Sequence, residues 1–208
     1  MNKKFLLFDF DGVIVDSFQP AYEVSRMKCP HLSEDDYRRK FEGNINEYQE
    51  AENVHTDACQ PDLDFFEHYV PKIEKQVSLF EPMKPVIETL SKEYELVIIS
   101  STITLPIEKL LEKYGLRSYF AEVMGNDVHK SKVEKIKMVF AKYNLTPKDC
   151  VFITDTLGDM VEAEKTGVGA IGVTWGFHTP ETLQRGNPFR LVDQPDDLVR
   201  TVEKYFLN

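Results

Sequence analysis

A short apolar segment near the beginning of the chain delivers two carboxylates directly into a glycine. The run from Phe5 to Phe8 is aromatic-rich and unbroken, which favours a strand that is buried on both faces of a parallel sheet. Asp9 and Asp11 follow it, and Gly12 lets the backbone turn sharply. Open α/β sheets bind their ligands at the carboxyl ends of their strands. The segment therefore predicts a buried strand that ends in a reactive loop.

Two other interpretations of Asp9-Phe-Asp-Gly12 exist. The four residues could form an ordinary surface turn, because aspartate and glycine both favour turns. They could also begin a calcium-binding loop, but such a loop needs further oxygen ligands and a terminal glutamate at fixed offsets, which do not follow in the sequence. The apolar run before the two aspartates favours the reactive loop over both.

The composition restricts the classes of partner. A chain of 208 residues suits one domain with an insertion, or one large and one small domain. Its net charge of -10 disfavours nucleic acid and anionic membranes as partners, and no basic patch offsets it. The three cysteines have no metal-binding or disulfide spacing, and the first residues lack an apolar run of the length of a signal peptide or a membrane span. We expect a cytoplasmic protein with neither of those partners; the oligomeric state is not predicted.

The segment from Phe18 to about Phe80 contains no convincing strand, and its charged and aromatic residues recur at helical spacing. Ser33, followed by three acids, predicts the start of one helix. A second helix is predicted over Asp62 to Gln76, with an interruption or bend at Pro71. Residues 18–80 are thus predicted to be a helical insertion, and residues 1–17 and 81–208 to form the main domain.

From Glu81 onward, helical and strand patterns alternate, which predicts a parallel sheet with right-handed crossovers. The fold class predicted is α/β, a three-layer Rossmann-like core with a small helical domain. Ser131 and Glu134 predict a capping box at the start of a helix. The predicted helices are Pro85–Lys92, Pro106–Tyr114, Ser131–Tyr143, one that ends at Gly167, and Pro195–Phe206; the predicted strands are Glu95–Ser100, Glu122–Gly125, Cys150–Asp155 and Gly169–Val173.

Polar residues at the ends of these strands are expected to meet at one edge of the sheet. Four carboxylates in one small site would repel one another, and a hard divalent cation relieves this repulsion. Few ligands and a phosphate partner favour Mg²⁺ over Ca²⁺. A metal, an aspartate nucleophile and hydroxyl or lysine donors are together suited to phosphoryl transfer. The residues concerned are Asp9, Asp11, Ser100, Ser101, Asp155 and Asp159.

The chain resembles the haloacid dehalogenase-like hydrolases, specifically their phosphoglycolate-phosphatase-like branch, over nearly its whole length. The resemblance rests on four motifs in the family's order. They are Asp9-Phe-Asp-Gly-Val-Ile-Val-Asp-Ser17, Val97-Ile-Ile-Ser100, a lysine ahead of the helix that contains Glu134, and Thr154-Asp-Thr-Leu-Gly-Asp159.

This resemblance implies an activity and a role for each residue. The activity is Mg²⁺-dependent hydrolysis of a small phosphorylated metabolite, either phosphoglycolate-like or a sugar phosphate. Asp9 would attack phosphorus, and Asp11 would act as general acid and base. Mg²⁺ would be held by Asp9, the Asp11 backbone carbonyl and Asp155, with Asp159 bound directly or through water. The phosphate would meet Gly12, Ser100, Ser101 and a lysine, and the helical insertion would be a cap over the site.

The position of that lysine is left open by the sequence. Many relatives have Lys-Pro at the third motif, whereas this chain has His129-Lys-Ser-Lys132. Lys130 lies 25 residues before Asp155, as in the Lys-Pro pattern, and Lys132 lies 23 before it, as in phosphoserine-phosphatase-like relatives. Either lysine can face an anion from a helix start. At the fourth motif, Thr154 replaces the common glycine.

Several other residues have weaker interpretations. Lys135, Lys137 and Lys142 are expected to be solvated on a charged helix. Trp175 and His178 either border the substrate loop or serve packing. One or two basic residues of the insertion could contact an acidic substrate, but surface ion pairs are the favoured interpretation; these residues are Arg26, Lys28, Arg38, Arg39 and Lys40. Two alternatives to a phosphatase are a phosphosugar mutase and a non-catalytic binding protein on the same fold.

Overall fold

The computed structural model describes residues 3–48, 58–60 and 62–207. Within these ranges the strands are β1 (Phe5–Phe8), β2 (Val15–Asp16), β3 (Ser78–Leu79), β4 (Glu95–Ile99), β5 (Phe120–Met124), β6 (Cys150–Thr154), β7 (Gly169–Val173) and β8 (Arg190–Val192). The helices are α1 (Phe18–Lys28), α2 (Glu34–Arg39), α3 (Phe65–Gln76), α4 (Met83–Leu90), α5 (Thr104–Lys113), α6 (Lys132–Tyr143), α7 (Leu157–Glu164), α8 (Pro180–Gln184) and α9 (Asp197–Leu207).

Six of the strands form one parallel sheet in the order β5-β4-β1-β6-β7-β8. Strand β1 lies between β4 and β6, so that Phe8 is paired with Ile98 on one side and Ile153 on the other. All four residues of β1 are buried. The carboxyl ends of these three neighbouring strands therefore lie side by side, where doubly wound sheets bind ligands.

Helices cover both faces of this sheet because successive side chains of a strand point to opposite faces. Leu6 and Phe8 of β1 pack in the larger apolar cluster, which includes residues of α4, α5 and α9. Phe5 and Leu7 pack in a second cluster, which includes residues of α6 and α7. The predicted α/β class with three layers and a parallel sheet is confirmed.

The helical insertion leaves the sheet after β1 and returns before α4. Its helices α1 and α3 pack on each other, and α3 also contacts α5. The antiparallel pair of β2 and β3 joins the insertion to the rest of the chain. Helix α3 continues through Pro71, so the proline does not end it, and Tyr69 and Ile73 are buried on either side. The exact limits of 18 and 80 for the insertion stay a prediction.

Two expectations about α6 are wrong. Ser131 does not cap the helix with its side chain; its hydroxyl donates instead to Glu162 Oε1, 3.2 Å away. Lys135 is fully buried rather than solvated, because it lies on the helix face that meets the ends of β4 and β5. Its Nζ donates to the carbonyls of Ser100 at 2.5 Å and Gly125 at 3.3 Å. Burial lowers the pKa of this ammonium to about 8, and the neighbouring Lys132 adds to the effect.

The other two lysines of α6 that were expected in solvent, Lys137 and Lys142, are exposed and form ion pairs. No helix among residues 3–48, 58–60 and 62–207 is long and apolar enough to cross a membrane.

Candidate active site

A cavity of about 620 Å³ opens at the carboxyl edge of the sheet, beneath the helical insertion. Asp9, immediately after β1, and Ser100, immediately after β4, border it from the sheet side. Lys132, the first residue of α6, and Asp159, in the first turn of α7, border it as well. The strand ends and two helix starts therefore bring side chains from distant parts of the sequence to one space.

Asp9 is nearly buried, with an exposed fraction of 6%. Its Oδ1 accepts a hydrogen bond from the Phe10 backbone N–H at 2.7 Å and lies 3.0 Å from Lys132 Nζ. Burial raises the pKa of the Asp9 carboxyl well above its ordinary value, and the positive charge of Lys132 opposes that shift. The Lys132 cation beside Asp9 therefore favours the ionised form of this carboxyl, against the effect of burial.

Lys132 is held between two carboxylates. Its Nζ lies 2.6 Å from Asp159 Oδ2, which also accepts from the Thr154 hydroxyl at 2.8 Å. Burial alone would lower the pKa of Lys132, but Asp159 and Asp9 outweigh it and raise the pKa. Burial would likewise raise the pKa of Asp159, but Lys132 lowers it. The Lys132 side chain is therefore in its protonated, positively charged form.

Lys130 is placed differently from Lys132. It is exposed, and its backbone carbonyl accepts from Asn46 Nδ2 at 3.0 Å. Glu162 fixes the turn between the two lysines, because its Oε1 accepts from the Lys132 backbone N–H at 3.0 Å. The helix start thus brings Lys132, and not Lys130, to the carboxylates of Asp9 and Asp159. Sequence reasoning missed Glu162, which looked like an ordinary acid on α7.

Each carboxylate oxygen of Asp11 accepts a hydrogen bond from a hydroxyl group. Thr102 Oγ1 donates to Oδ2 at 2.7 Å from the strand-end loop, and Tyr69 OH donates to Oδ1 at 2.7 Å from α3 of the insertion. Burial raises the pKa of Tyr69 well above its ordinary value, and the charge of Asp11 adds to the shift, so Tyr69 stays a donor. Sequence reasoning missed this contact, because Tyr69 matched the apolar stripe of its helix.

The loop after β4 is fixed by its own hydrogen bonds. Ser100 Oγ accepts from the Thr102 backbone N–H at 3.0 Å, and the Ser100 carbonyl accepts from Lys135. Ser100 is fully buried within the protein, and Ser101 is half-buried at the cavity wall. Because Ser100 Oγ already accepts a hydrogen bond, its own O–H remains to donate to a bound group.

Asp155 lies at the end of β6 and is fully buried. Its Oδ2 accepts from the Phe177 backbone N–H at 2.6 Å, whereas Oδ1 is buried with no hydrogen-bond partner among the described residues. Burial raises the pKa of Asp155 to about 7, and the Phe177 N–H opposes the shift. A buried carboxylate oxygen without a donor is costly, which points to a group that the chain itself does not supply.

Two glycines let the backbone approach Asp155 closely. Gly12 has φ +75°, and a Cβ there would lie 2.0 Å from Asp155 Oδ2. A Cβ on Gly176 would lie 2.2 Å from the same oxygen and 2.4 Å from the Gly12 carbonyl. Any side chain at either position would displace the carboxylate.

The donor set fits Mg²⁺. No three carboxylate, imidazole or thiolate side chains of the described ranges converge closely enough to hold an ion by themselves. Mg²⁺, however, commonly takes one or two carboxylates and keeps several waters. Asp9 and the unpartnered oxygen of Asp155 suit this pattern, whereas Asp159 Oδ2 is already engaged by Lys132 and Thr154.

His178 and Trp175 link the loop after β7 to its surroundings. His178 Nδ1 accepts from the Leu157 backbone N–H at 2.9 Å, so its Nε2–H is the donor to the Arg38 carbonyl at 2.8 Å. Trp175 Nε1 donates to the Val13 carbonyl at 3.1 Å. The Arg38 guanidinium lies 3.9 Å from the ring centroid of Phe18 and hydrogen-bonds to the Phe177 carbonyl. These residues attach the insertion to the sheet edge.

Comparison with curated proteins finds relatives that match nearly the whole chain. Phosphoglycolate phosphatase from Synechococcus elongatus is 25% identical over 205 residues, which cover 95% of this chain and 96% of that protein. Phosphoglycolate phosphatase from Vibrio parahaemolyticus is 21% identical over 220 residues, with 96% of each protein covered. The resemblance stated from the four motifs is confirmed.

Solved structures show the same fold. A predicted phosphatase from Clostridium acetobutylicum superposes with a TM-score of 0.77 at 19% identity, covering 98% of this chain and 100% of that one. The family described as haloacid dehalogenase-like hydrolase matches residues 6–173, a span that contains all four motifs. The chain therefore belongs to the haloacid dehalogenase-like hydrolases.

Proposed function

We propose that this protein is a Mg²⁺-dependent phosphatase that hydrolyses a small phosphate monoester through an aspartyl phosphate on Asp9. The observation that carries the proposal is the arrangement at one cavity of a buried Asp9, 3.0 Å from Lys132, and an Asp11 held by two hydroxyls. The names of the full-length relatives, which are phosphoglycolate phosphatases, support the same reaction class.

The two aspartates next to Gly12 take separate parts in the proposed reaction. In the proposed cycle Asp11 starts in its protonated form. Asp9 attacks phosphorus, and the bond to the leaving oxygen breaks as Asp11 gives that oxygen its proton. Asp11 then takes a proton from water, which attacks the aspartyl phosphate and releases inorganic phosphate and free Asp9. The hydroxyls of Thr102 and Tyr69 hold Asp11 in place through both half-reactions.

Cationic and hydroxyl groups would bind the phosphate oxygens. Lys132 places a permanent positive charge 3.0 Å from the nucleophile, and Ser100 offers its O–H. Asp9, Asp155 and the Asp11 backbone carbonyl would hold Mg²⁺, which when bound neutralises charge on the transferring phosphoryl group. Asp159 would act chiefly by orienting Lys132. We assign the phosphate-binding lysine to Lys132 rather than Lys130 on this geometry.

The helical insertion is proposed to be the cap of the site. It covers the cavity that Asp9 and Asp11 border and contributes Tyr69 to the carboxylate of Asp11. A cap in this position excludes water from the aspartyl phosphate until the leaving group has departed, and it contacts the leaving group.

The purified protein is expected to release inorganic phosphate from p-nitrophenyl phosphate in the presence of Mg²⁺. Chelation with EDTA is expected to stop the release, and added Mg²⁺ to restore it. Mg²⁺ alone is expected to raise the unfolding temperature, since it binds the folded site and supplies a partner for Asp155. A protein that shows neither phosphate release nor a Mg²⁺-dependent rise in unfolding temperature would contradict the proposal.

Tyr69→Phe is expected to lower turnover selectively for esters with poor leaving groups. The variant keeps the ring but removes the donor to Asp11, so proton transfer to the leaving oxygen becomes less well oriented. The kcat/KM for an alkyl phosphate, which reports the steps up to the aspartyl phosphate, should fall by roughly tenfold to a hundredfold. Hydrolysis of p-nitrophenyl phosphate should change much less, because nitrophenolate leaves without a proton.

The matched control for this variant is Tyr22→Phe. Tyr22 is another buried tyrosine of the insertion, and its hydroxyl donates to the Leu32 carbonyl at 2.9 Å. Loss of the Tyr22 hydroxyl should lower kcat/KM only slightly, and by the same factor for both esters. If Tyr69→Phe lowered kcat/KM for both esters by the same factor, the Tyr69 hydroxyl would not orient the proton transfer to the leaving oxygen.

A further inference from the structure

Three aromatic side chains of α3 form one wall of the cavity, and this wall begins beside the reacting groups. The ring centroids of Phe65 and Tyr69 are 4.9 Å apart, and those of Phe65 and Phe66 are 5.5 Å apart. Tyr69 OH reaches Asp11, so the wall adjoins the residue that protonates the leaving oxygen. Phe65 and Phe66 are only partly buried, and both border the cavity.

A second aromatic group borders the same cavity from other elements. Tyr37 lies in α2, Phe41 follows that helix, and Phe177 lies in the loop after β7. Phe41 packs edge to face against Phe177 at 5.0 Å and against Tyr37 at 5.2 Å between ring centroids. The space next to Asp9 and Asp11 is thus bordered by rings from three separate segments of the chain.

The volume of the cavity exceeds the needs of a very small ester. About 620 Å³ is in the range of sites that enclose a ligand of drug-like size. A phosphate with a leaving group of two or three carbons would occupy a small part of it and leave the aromatic walls in contact with water. Aromatic side chains bind other rings through offset or edge-to-face contacts in addition to the burial of their surface.

We infer that the preferred substrates are phosphate monoesters whose leaving group carries an aromatic ring. The inference rests on the proposed phosphatase function and specifies the substrate class of that site. Lys28 and Lys40 border the same cavity, so a short anionic leaving group such as that of phosphoglycolate is the alternative that an experiment has to separate. The phosphate meets Lys132 and Ser100, and the ring lies among the side chains of α3 and the second aromatic group.

Phenylpropyl phosphate and propyl phosphate form a suitable substrate pair. Their leaving alcohols have similar acidity, so a difference in kcat/KM reports contact with the ring rather than the ease of breaking the phosphorus–oxygen bond. The Mg²⁺-loaded protein is expected to favour phenylpropyl phosphate by at least roughly tenfold, mainly through a lower KM. The kcat/KM for phenylpropyl phosphate is also expected to exceed that for phosphoglycolate.

Substitutions on the wall test where the preference arises. Phe66→Ala is expected to move the ratio of kcat/KM for the two esters toward one, and Phe66→Leu, which keeps an apolar side chain, to lower it in part. The control is Phe189→Ala: this ring is 40% exposed and packs against Tyr205, away from the cavity. It should leave the ratio unchanged.

Binding of the corresponding phosphonates separates this inference from the proposed reaction. Phenylbutyl phosphonate and butyl phosphonate cannot be hydrolysed, and calorimetry gives their Kd values whether or not the protein turns over any ester. Tighter binding of the phenyl compound by tenfold or more supports the inference even if no hydrolysis occurs, in which case the proposed function alone fails. Equal binding, or a higher kcat/KM for phosphoglycolate than for phenylpropyl phosphate, overturns the inference and leaves a phosphatase function intact.

Discussion

Asp9→Asn is expected to abolish phosphate release, with kcat reduced by at least about 10³-fold, because the amide cannot form the aspartyl phosphate. The variant should still fold. Asparagine can keep the hydrogen bond from the Phe10 N–H, and it removes a buried carboxylate whose pKa is already raised by burial. Lys132 retains Asp159 as its partner at 2.6 Å. Circular dichroism and the unfolding temperature should therefore stay close to those of the unmodified protein.

The control for this loss is Asp35→Asn on the exposed side of α2, which should leave kcat unchanged. Beryllium fluoride, an analogue of a phosphoryl group, should bind the unmodified protein in the presence of Mg²⁺ and give a ¹⁹F resonance that the Asp9→Asn variant lacks. Hydrolysis that persists in Asp9→Asn above about 1% of the original rate would show that another group attacks phosphorus.

The strand ends could be predicted because they depend on local patterns and on topology. Phe5 to Phe8 is a continuous apolar run, and alternation of helices with strands requires parallel pairing. Once β1 lies between β4 and β6, the residues that follow these strands must be neighbours. Asp9, Ser100 and Asp155 could therefore be assigned to one edge without knowledge of any side-chain contact, while their chemical roles stay predictions.

Contacts between the insertion and the sheet could not be predicted in this way. Tyr69 follows the periodicity of a buried helix face, and nothing in that pattern shows that its hydroxyl meets Asp11, 58 residues earlier. The burial of Lys135 could not be predicted either, because a lysine on a charged helix is usually solvated. It follows only from the packing of α6 against the ends of β4 and β5. Such contacts depend on how separate elements dock.

The position of Lys130 and Lys132 near a helix start could be predicted from the sequence, but which of the two reaches Asp9 could not. Spacing in the sequence allows either Lys130 or Lys132, because both lie close to a predicted helix start, where an anion is favoured. In the structure, the carboxylate of Glu162 accepts from the Ser131 hydroxyl and the Lys132 backbone N–H and so fixes where α6 begins. The start of α6 then directs Lys132 into the site.

Lys132→Met is accordingly expected to lower both activity and stability more than Lys130→Met does. It removes the ammonium between Asp9 and Asp159 and leaves two buried carboxylates to repel each other. Loss of one partner from a buried ion pair commonly costs about 3 to 5 kcal/mol of unfolding free energy. Turnover should fall by at least about a hundredfold, because positive charge at the phosphate is lost.

Lys130→Met, two residues away on an exposed position, is the matched control and should change neither quantity appreciably. Lys132→Arg separates the effect on stability from the effect on turnover. Arginine restores a cation between the two carboxylates and therefore part of the stability. Its planar guanidinium, however, cannot reproduce the contacts of the ammonium with both carboxylate oxygens. Mg²⁺ should raise the unfolding temperature of Lys132→Met more than that of the unmodified protein, since a divalent ion at Asp9 relieves the same repulsion. Equal and mild effects of Lys130→Met and Lys132→Met on kcat would contradict the assignment of Lys132, because a lysine that binds the transferring phosphate cannot be exchanged silently.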